Sequence, residues 1–217
     1  APLVTPVKVN EPLDFELKDL DATHPYLYDR GFTRETMRHF GVGFCSRGLL
    51  KGRIAIPLRD DSGKIVAYAG RVARDSEITK ENPKYRLPTR REIGGTVYEL
   101  QPSLFLYNGY RLNEPCADLV VVEGFASVWW LTQNGFPQVA SVMGAYCSDA
   151  QAELIVRKTA PSARVFVMGC GNIRGERFAA SILAKVSPHR LVRRLLLGAG
   201  RRPTDVPPAT LKVDLAF

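Results

Sequence analysis

Two polar loops, each directly after an apolar run, hold the residues whose types and spacing could support chemistry. Residues 119–122 are Leu-Val-Val-Val and lead into Glu123, and residues 165–168 are Val-Phe-Val-Met and lead into the Gly-rich loop of residues 169–172. Open α/β sheets build their sites at the carboxyl ends of strands. An acid at one strand end and a Gly-rich polar loop at the next therefore predict a metal-phosphate site, with Glu123 and Cys170 at the same edge of the sheet.

The elements that position these loops follow from the hydrophobic pattern. From residue 119 onward, apolar runs alternate with helical patterns, which predicts a parallel sheet with crossover helices. Ser148 and Gln151 have the spacing of a capping box, and Trp129 or Trp130 is expected to pack in the core. We predict strands at residues 119–122, 139–142, 164–168 and 190–197, and helices at residues 125–133, 149–158 and 176–186.

The first half of the chain predicts a smaller, basic α+β region. Thr33 is a candidate N-cap for a short helix that ends at Gly41. Strands at residues 53–58 and 64–68 are joined by turn-forming residues, and the charged, irregular segment of residues 75–95 predicts a mobile basic loop. The predicted division is a linker or tail at residues 1–20, the basic α+β half at residues 21–117 and the α/β domain at residues 118–217.

The net charge of +8 is unevenly distributed. Clusters of Lys and Arg concentrate polyanions through counterion release, although a solvated surface that maintains solubility is an alternative interpretation. Tyr68, Tyr85 and Tyr107 are interleaved with the first cluster, and this favours single-stranded nucleic acid because bases stack on aromatic rings. The predicted nucleic-acid-binding residues are Arg53, Arg59, Arg71, Lys84, Tyr85 and Arg86.

Composition limits the class of protein. The 217 residues, 45% of them hydrophobic, are enough to bury a sizeable core, and no apolar run of about 18 residues predicts a membrane span. The four cysteines lack a C-x-x-C pair, which argues against a disulfide framework or zinc ribbon and favours a reducing, cytoplasmic location. The start lacks the pattern of a secretory signal. It also lacks an initiator Met, so we expect processing of the chain or excision from a longer one.

The order of these motifs resembles the TOPRIM domain in the catalytic core of bacterial-type DNA primases. In that family a strand leads to Glu-Gly, and a later strand leads to Asp-x-Asp with a Gly just beyond. Glu123 and Gly124 match the first motif, Cys170 and Asn172 stand at the Asp-x-Asp positions, and Gly175 matches the trailing Gly. Four further segments of the chain resemble the amino-terminal half of the same core, namely residues 52–60, 69–71, 83–85 and 106–108. The resemblance covers about residues 25–205.

The resemblance implies that Glu123 is the catalytic, metal-linked acid and that Mg²⁺ or Mn²⁺ is the metal. Mg²⁺ takes hard oxygen ligands, whereas the two aspartate positions here hold Cys170 and Asn172, and Ser127 stands where many members have a further Asp. The metal site is therefore predicted to be degenerate and its metal binding impaired. Complete primases of this family carry a zinc-binding module, and this chain has no zinc site.

Three functions follow from these features. The leading hypothesis is a primase-related replication protein that binds single-stranded DNA or a primer-template, with a replicative helicase or a zinc-binding module in the same or another chain as partner. The second is an active DNA primase, a nucleotidyltransferase that makes short RNA primers, so enzymatic activity stays open. The third is a phosphate- or small-molecule-binding α/β enzyme that uses residues 169–175 at a helix N-terminus, with Arg174 beside the anion.

Overall fold

The computed structural model describes residues 6–215 and divides into two compact units, Ala1–Gln101 and Pro102–Phe217. The sequence places this division sixteen residues later, after residue 117, which lies within the first strand of the parallel sheet, Cys116–Val122. Residues 102–115 form short turns of the second unit instead of the end of the first. The assignment of the three predicted ranges to a linker or tail, a basic half of a primase-like core and a TOPRIM-like domain stays a prediction.

The first unit contains two sheets and two short helices. A four-stranded antiparallel sheet has the order β2-β3-β4-β5, and a three-stranded sheet has the order β1-β7-β6. Thr33 caps the second helix as predicted, because its hydroxyl accepts the N–H of Thr36. The elements are β1 (Val7–Val9), α1 (Pro25–Tyr28), α2 (Arg34–Phe40), β2 (Gly43–Cys45), β3 (Arg53–Arg59), β4 (Ile65–Val72), β5 (Tyr85–Arg86), β6 (Arg91–Ile93) and β7 (Thr96–Glu99).

The β3–β4 hairpin forms the centre of the first unit. Its turn is held by the Asp60 carboxylate, which accepts the backbone N–H groups of Ser62 and Lys64, each at 2.9 Å. The predicted strand pair is confirmed, but β4 continues to Val72 instead of ending at Tyr68. The extension occurs because the last residues of β4 pair with both β3 and β5.

The segment predicted as a mobile loop contains regular structure. Strands β5 and β6 lie within residues 75–95, and β5 pairs with β4. The buried Arg53 side chain holds this segment, since its guanidinium donates to the Pro83 carbonyl at 3.1 Å and to the Asn82 side chain. Gly70 makes this possible, because a Cβ there would lie 2.7 Å from the Leu50 side chain and 3.0 Å from Arg53 Cδ.

Residues 7–20, within the stretch predicted as a linker or tail, contact the sheets of the first unit. Strand β1 pairs with β7, and the Leu13 N–H donates to the Ile65 carbonyl at 2.7 Å. The Leu17 N–H donates to the Tyr68 hydroxyl at 2.9 Å. Leu13, Leu17 and Leu20 pack against buried residues of the sheet, and burying these apolar side chains favours an ordered segment.

The second unit is a parallel α/β domain, as the sequence predicts. Its sheet has the order β11-β10-β8-β9, and all neighbouring strands are parallel. The capping box of Ser148 and Gln151 is present. The elements are β8 (Cys116–Val122), α3 (Phe125–Gln133), β9 (Val139–Ser141), α4 (Asp149–Lys158), β10 (Thr159–Met168), α5 (Ile173–Val186), β11 (Leu191–Leu195) and α6 (Pro208–Asp214).

The central strands β8 and β10 are buried on both faces. Leu119 and Val121 pack in a cluster with Ile155 of α4 and Phe178 of α5, while Val120 on the opposite face is also fully buried. Continuous apolar strands of this kind are typical of parallel sheets covered on both faces. The core role predicted for at least one tryptophan is confirmed, since Trp129 is 4% exposed. Within residues 6–215, no helix is long and apolar enough to cross a membrane.

Candidate functional site

The carboxyl ends of β8 and β10 bring the two predicted polar loops together. Val122 and Met168 are register partners at the ends of these adjacent parallel strands. Directly beyond them, the Cys170 backbone N–H donates to Oε1 of Glu123 at 2.7 Å. The prediction that Glu123 and Cys170 lie at the same edge of the sheet is therefore confirmed.

The Glu123 carboxylate is largely buried and already engaged. Its side chain is 11% exposed, and Oε2 lies 3.6 Å from Nε of Arg174. Burial raises the pKa of the Cys170 thiol to about 11, and the charge of Glu123 and a hydrogen bond to it act in the same direction. Cys170 is therefore a neutral thiol at neutral pH, and it faces Glu123 as a hydrogen-bond donor where the family pattern has a second carboxylate.

The loop between β10 and α5 is fixed by close backbone packing. Asn172 is the N-cap of α5, and its Oδ1 accepts the Gly175 N–H at 3.0 Å. A Cβ at Gly175 would lie 1.8 Å from the Cys170 carbonyl oxygen, so only glycine fits there. The Gly171 N–H donates to the Arg201 carbonyl at 2.7 Å, which ties the loop to the segment before α6. Asn172 therefore has a structural use that requires no metal.

The donor set at this edge does not match what Mg²⁺ requires. Among residues 6–215, no group of three or more His, Cys, Asp or Glu side chains is placed to hold a metal ion. Asp149 forms an ion pair with Lys185 at 2.6 Å. Burial alone would raise the pKa of Asp205, but hydrogen bonds from Arg202 leave it lowered, and this carboxylate is committed to that arginine. Mg²⁺ binds through several hard oxygens, and Glu123 supplies one carboxylate that is already bonded.

Two of the predicted nucleic-acid-binding arginines are buried in the first unit. Arg53 and Arg71 are each 4% exposed. Arg53 donates to the Gly70 carbonyl at 3.0 Å and to the segment before β5. Arg71 donates to the Val72 carbonyl and to the Asp75 carboxylate, and its guanidinium lies 4.5 Å from the Tyr26 ring centroid. Both side chains thus stabilise the ordered segment around β5.

The other predicted residues of this group differ in exposure. Lys84 and Arg86 are exposed, and Tyr85 between them is 39% exposed. Burial raises the pKa of the Tyr85 hydroxyl, and Lys84 Nζ lies 6.0 Å from the centroid of the Tyr85 ring. Arg59 is half-buried and donates to the Gly63 carbonyl at 2.8 Å. Whether any of the six contacts nucleic acid stays a prediction.

Two of the three tyrosines predicted to lie on the basic surface are buried. Tyr68 is 9% exposed and Tyr107 is 4% exposed, and the Tyr107 hydroxyl accepts the Trp129 indole N–H at 2.7 Å. Neither ring is available for base stacking, so that part of the argument is wrong. Tyr26, which the sequence did not single out, is an aromatic residue that contacts two arginines. The centroid of its ring lies 3.8 Å from the Arg30 guanidinium and 4.5 Å from that of Arg71. The Tyr-x-x-x-Arg spacing at residues 26–30 was the available signal.

The fold and this sheet edge are those of a TOPRIM-type domain, and comparison with known proteins agrees. A DNA primase of Pseudomonas aeruginosa is 27% identical over 83% of this chain and 32% of its own length. A solved DnaG primase catalytic domain bound to ssDNA has a TM-score of 0.72 at 20% identity, covering 90% of this chain and 71% of that one. A solved DNA primase domain from Pseudomonas aeruginosa gives a TM-score of 0.70 at 23% identity, with 90% and 71% covered. No family model matches the chain.

The chain is therefore a relative of the bacterial DNA primases and has the fold of their catalytic core. The resemblance inferred from the motifs is confirmed. The chain spans about a third of the length of the curated relatives that it matches.

Proposed function

We propose that this chain binds single-stranded DNA or a primer-template as the core of a primase-related replication protein. The observation that carries the proposal is the relationship to DNA primases across 83% of the chain. The solved primase catalytic domain with the same fold was bound to single-stranded DNA, which supports the same class of ligand here. A replicative helicase and a zinc-binding module, in the same or another chain, remain the partners that the proposal expects.

The exposed residues of β5 are the proposed centre of the contact surface. Lys84 and Arg86 supply cations that follow phosphates, and the exposed part of the Tyr85 ring supplies a face for a base. The buried Arg53 and Arg71 help to hold β5 in place, because they form hydrogen bonds to residues that precede it, Pro83 and Asp75. These two arginines would then act as positioning residues for the binding surface.

The metal site is proposed to be impaired. In the family the metal is Mg²⁺ or Mn²⁺, and it is linked to a glutamate, at the position of Glu123, and to two aspartates, at the positions of Cys170 and Asn172. The neutral Cys170 and the helix-capping Asn172 leave a site with one carboxylate, and that carboxylate accepts the Cys170 N–H and faces Arg174. Such a site has too little negative charge to hold a divalent ion against its hydration.

DNA binding is tested by titrating labelled oligothymidylate over a series of salt concentrations. Each phosphate contact on single strands contributes a slope of roughly −0.7 to log K against log salt, so Lys84→Ala/Arg86→Ala should flatten the slope by about 1.4. The matched control is Lys18→Ala/Arg38→Ala, which removes two exposed charges of the same unit. Equal slopes for the two double variants would exclude β5 from the contact surface.

The second candidate is an active DNA primase, and the names of the relatives together with the retained Glu123 favour it. Primer synthesis supplied with a primase zinc-binding module and titrated with Mg²⁺ and Mn²⁺ separates the two functions. Primers made by the unaltered chain, and lost in Glu123→Gln, would establish the active enzyme. DNA binding with no primers at any metal concentration agrees with the impaired site.

A further inference from the structure

A concave apolar groove lies on the first unit, and its lining begins next to Tyr85, at Arg86. Its volume is about 420 Å³, and its walls come from the segment of residues 8–17, from β4 and from residues 86–91. Its aliphatic lining consists of six leucines, among them Leu13 and Leu50, together with Val66, Ala67 and Pro88. The volume falls within the range of roughly 300–1,000 Å³ found for pockets that bind ligands.

Large apolar side chains stay exposed around this groove. Leu49 is 88% exposed, Phe15 is 53% exposed and Leu87 is 41% exposed, and all three line the groove. Single exposed apolar residues are common on protein surfaces, but apolar residues grouped around a concavity mark sites of interaction. Covering these side chains would therefore favour association with an apolar partner.

The charges at the groove add a preference for an acidic partner. Arg86 and Arg91 line it, and neither side chain pairs with a carboxylate among residues 6–215. Two further cations of the lining are paired, Lys8 with Glu11 at 2.7 Å and Arg47 with Asp19 at 2.5 Å. Glu99 is the other acid of the lining, so the two arginines give the groove an excess of positive charge.

The lining also distinguishes a peptide from a nucleic acid. Bases bind single-strand-binding surfaces by stacking on open aromatic faces. Of the aromatic residues in the lining, Tyr68 is buried and Tyr98 is half-buried, so Phe15 is the one exposed ring beside six leucines, Val66 and Ala67. The aliphatic walls instead suit Leu, Ile or aromatic anchors of a polypeptide.

We propose that this groove binds a segment of a partner protein that carries apolar anchor side chains flanked by acidic residues. The anchors enter between Leu49 and Phe15, and the acidic flanks lie against Arg86 and Arg91. This mode of recognition combines desolvated apolar anchors with a charged rim, as protein interfaces commonly do. This proposal shares Arg86 with the DNA-binding proposal, but its apolar anchors occupy the aliphatic walls and require no contact with Lys84 or Tyr85.

The test uses two short fluorescein-labelled peptides, one of alternating Leu, Trp and Asp and one with Lys in place of Asp. Fluorescence anisotropy should show saturable binding of the acidic peptide alone. Phe15→Asp/Leu49→Asp should weaken that binding at least about tenfold, the scale of losing a central apolar anchor. The matched control is Ile78→Asp/Ile93→Asp, which changes two residues of the same unit that are 38% and 54% exposed and lie outside the groove, and it should bind as the unaltered chain does.

Mapping on the unaltered protein keeps the test independent of how the variants fold. Amide chemical-shift changes on adding the acidic peptide should centre on Leu49, Ala67 and Leu87. Absence of binding, equal binding of the basic peptide, or shifts outside the groove would overturn the proposal. Competition by oligothymidylate, together with loss of DNA affinity in Phe15→Asp/Leu49→Asp, would assign the groove to nucleic acid and also overturn it. Because Arg86 belongs to both proposals, Lys84→Ala alone is the variant that reports on DNA binding separately, since Lys84 does not line the groove.

Discussion

Restoring an acid at Cys170 should make the stability of this protein depend on metal. In Cys170→Asp, a carboxylate replaces the thiol beside Glu123, whose Oε1 already accepts the backbone N–H of residue 170 at 2.7 Å. Two like charges about 4 Å apart at an effective dielectric of about 20 repel by about 4 kcal/mol, and this is an upper value because Arg174 and solvent offset part of it. We expect a metal-free loss of stability of about 1–4 kcal/mol.

Divalent metal should reverse that loss in the variant and leave the unaltered protein unchanged. A ligand present at a hundred times its dissociation constant stabilises the folded state by about 2.7 kcal/mol. The assay is urea unfolding in EDTA, Mg²⁺ and Mn²⁺, applied to the unaltered chain, Cys170→Asp and Cys170→Asp/Asn172→Asp. Aspartate also serves well as an N-cap, so the second change should not disrupt α5.

Cys170→Ser is the control for this experiment, since it alters the thiol without adding a charge. It should show no dependence on metal. The reasoning would be refuted if Mg²⁺ stabilised the unaltered chain as much as the double aspartate variant. It would also fail if Cys170→Asp were as stable as Cys170→Ser in EDTA, because the carboxylate of Glu123 would then not face residue 170.

Three further outcomes follow from the same structure. Alkylation of Cys170 should rise with pH toward its pKa of about 11, and Glu123→Gln should lower that pKa, measured by mass spectrometry of the labelled peptide. A hydrogen bond from Arg71 lowers the pKa of Asp75 in the folded protein. The stability that Asp75 contributes is therefore present above its unfolded pKa of about 3.9 and is lost as the pH falls through the lower folded pKa. Asp75→Asn should remove this pH-dependent component from acid unfolding curves. Ser148→Ala should destabilise the protein by about 0.5–2 kcal/mol in urea unfolding, because the cap of α4 is lost.

The sheet edge could be predicted from the sequence because the hydrophobic pattern determines where parallel strands end. Residues 119–122 and 165–168 are apolar throughout, so both strands had to be buried and adjacent positions beyond them had to meet. The bounds of α3 and α4 were predicted correctly for a similar reason, since Ser148 and the periodic apolar residues define where a helix starts and how far it runs. The start of α5 was placed three residues late, because the capping role of Asn172 was not recognised.

The burial of Arg53 and Arg71 could not be read from the sequence. A cation within a strand normally faces solvent, and the space for Arg53 exists only because Gly70 on the neighbouring strand lacks a side chain. The short strand β5 has two residues, too few for a periodic signal. The position of β5 depends on the hydrogen bonds of these buried arginines, so the sequence alone does not predict that Lys84 and Arg86 lie together on an exposed strand. The cytoplasmic location and the phosphate-binding alternative stay predictions.

Binding of labelled oligothymidylate by the unaltered chain, in EDTA and in Mg²⁺ at constant ionic strength, tests the central claim most directly. Because the cations of β5 are proposed to bind the strand and Glu123 is proposed to hold no metal, binding should occur in EDTA and be no tighter in Mg²⁺, which only competes for the phosphates. Binding that appears only with Mg²⁺, and that Glu123→Gln abolishes, would show a functional metal site and contradict the account. Failure to bind in either buffer at low salt would contradict the proposed DNA-binding function itself.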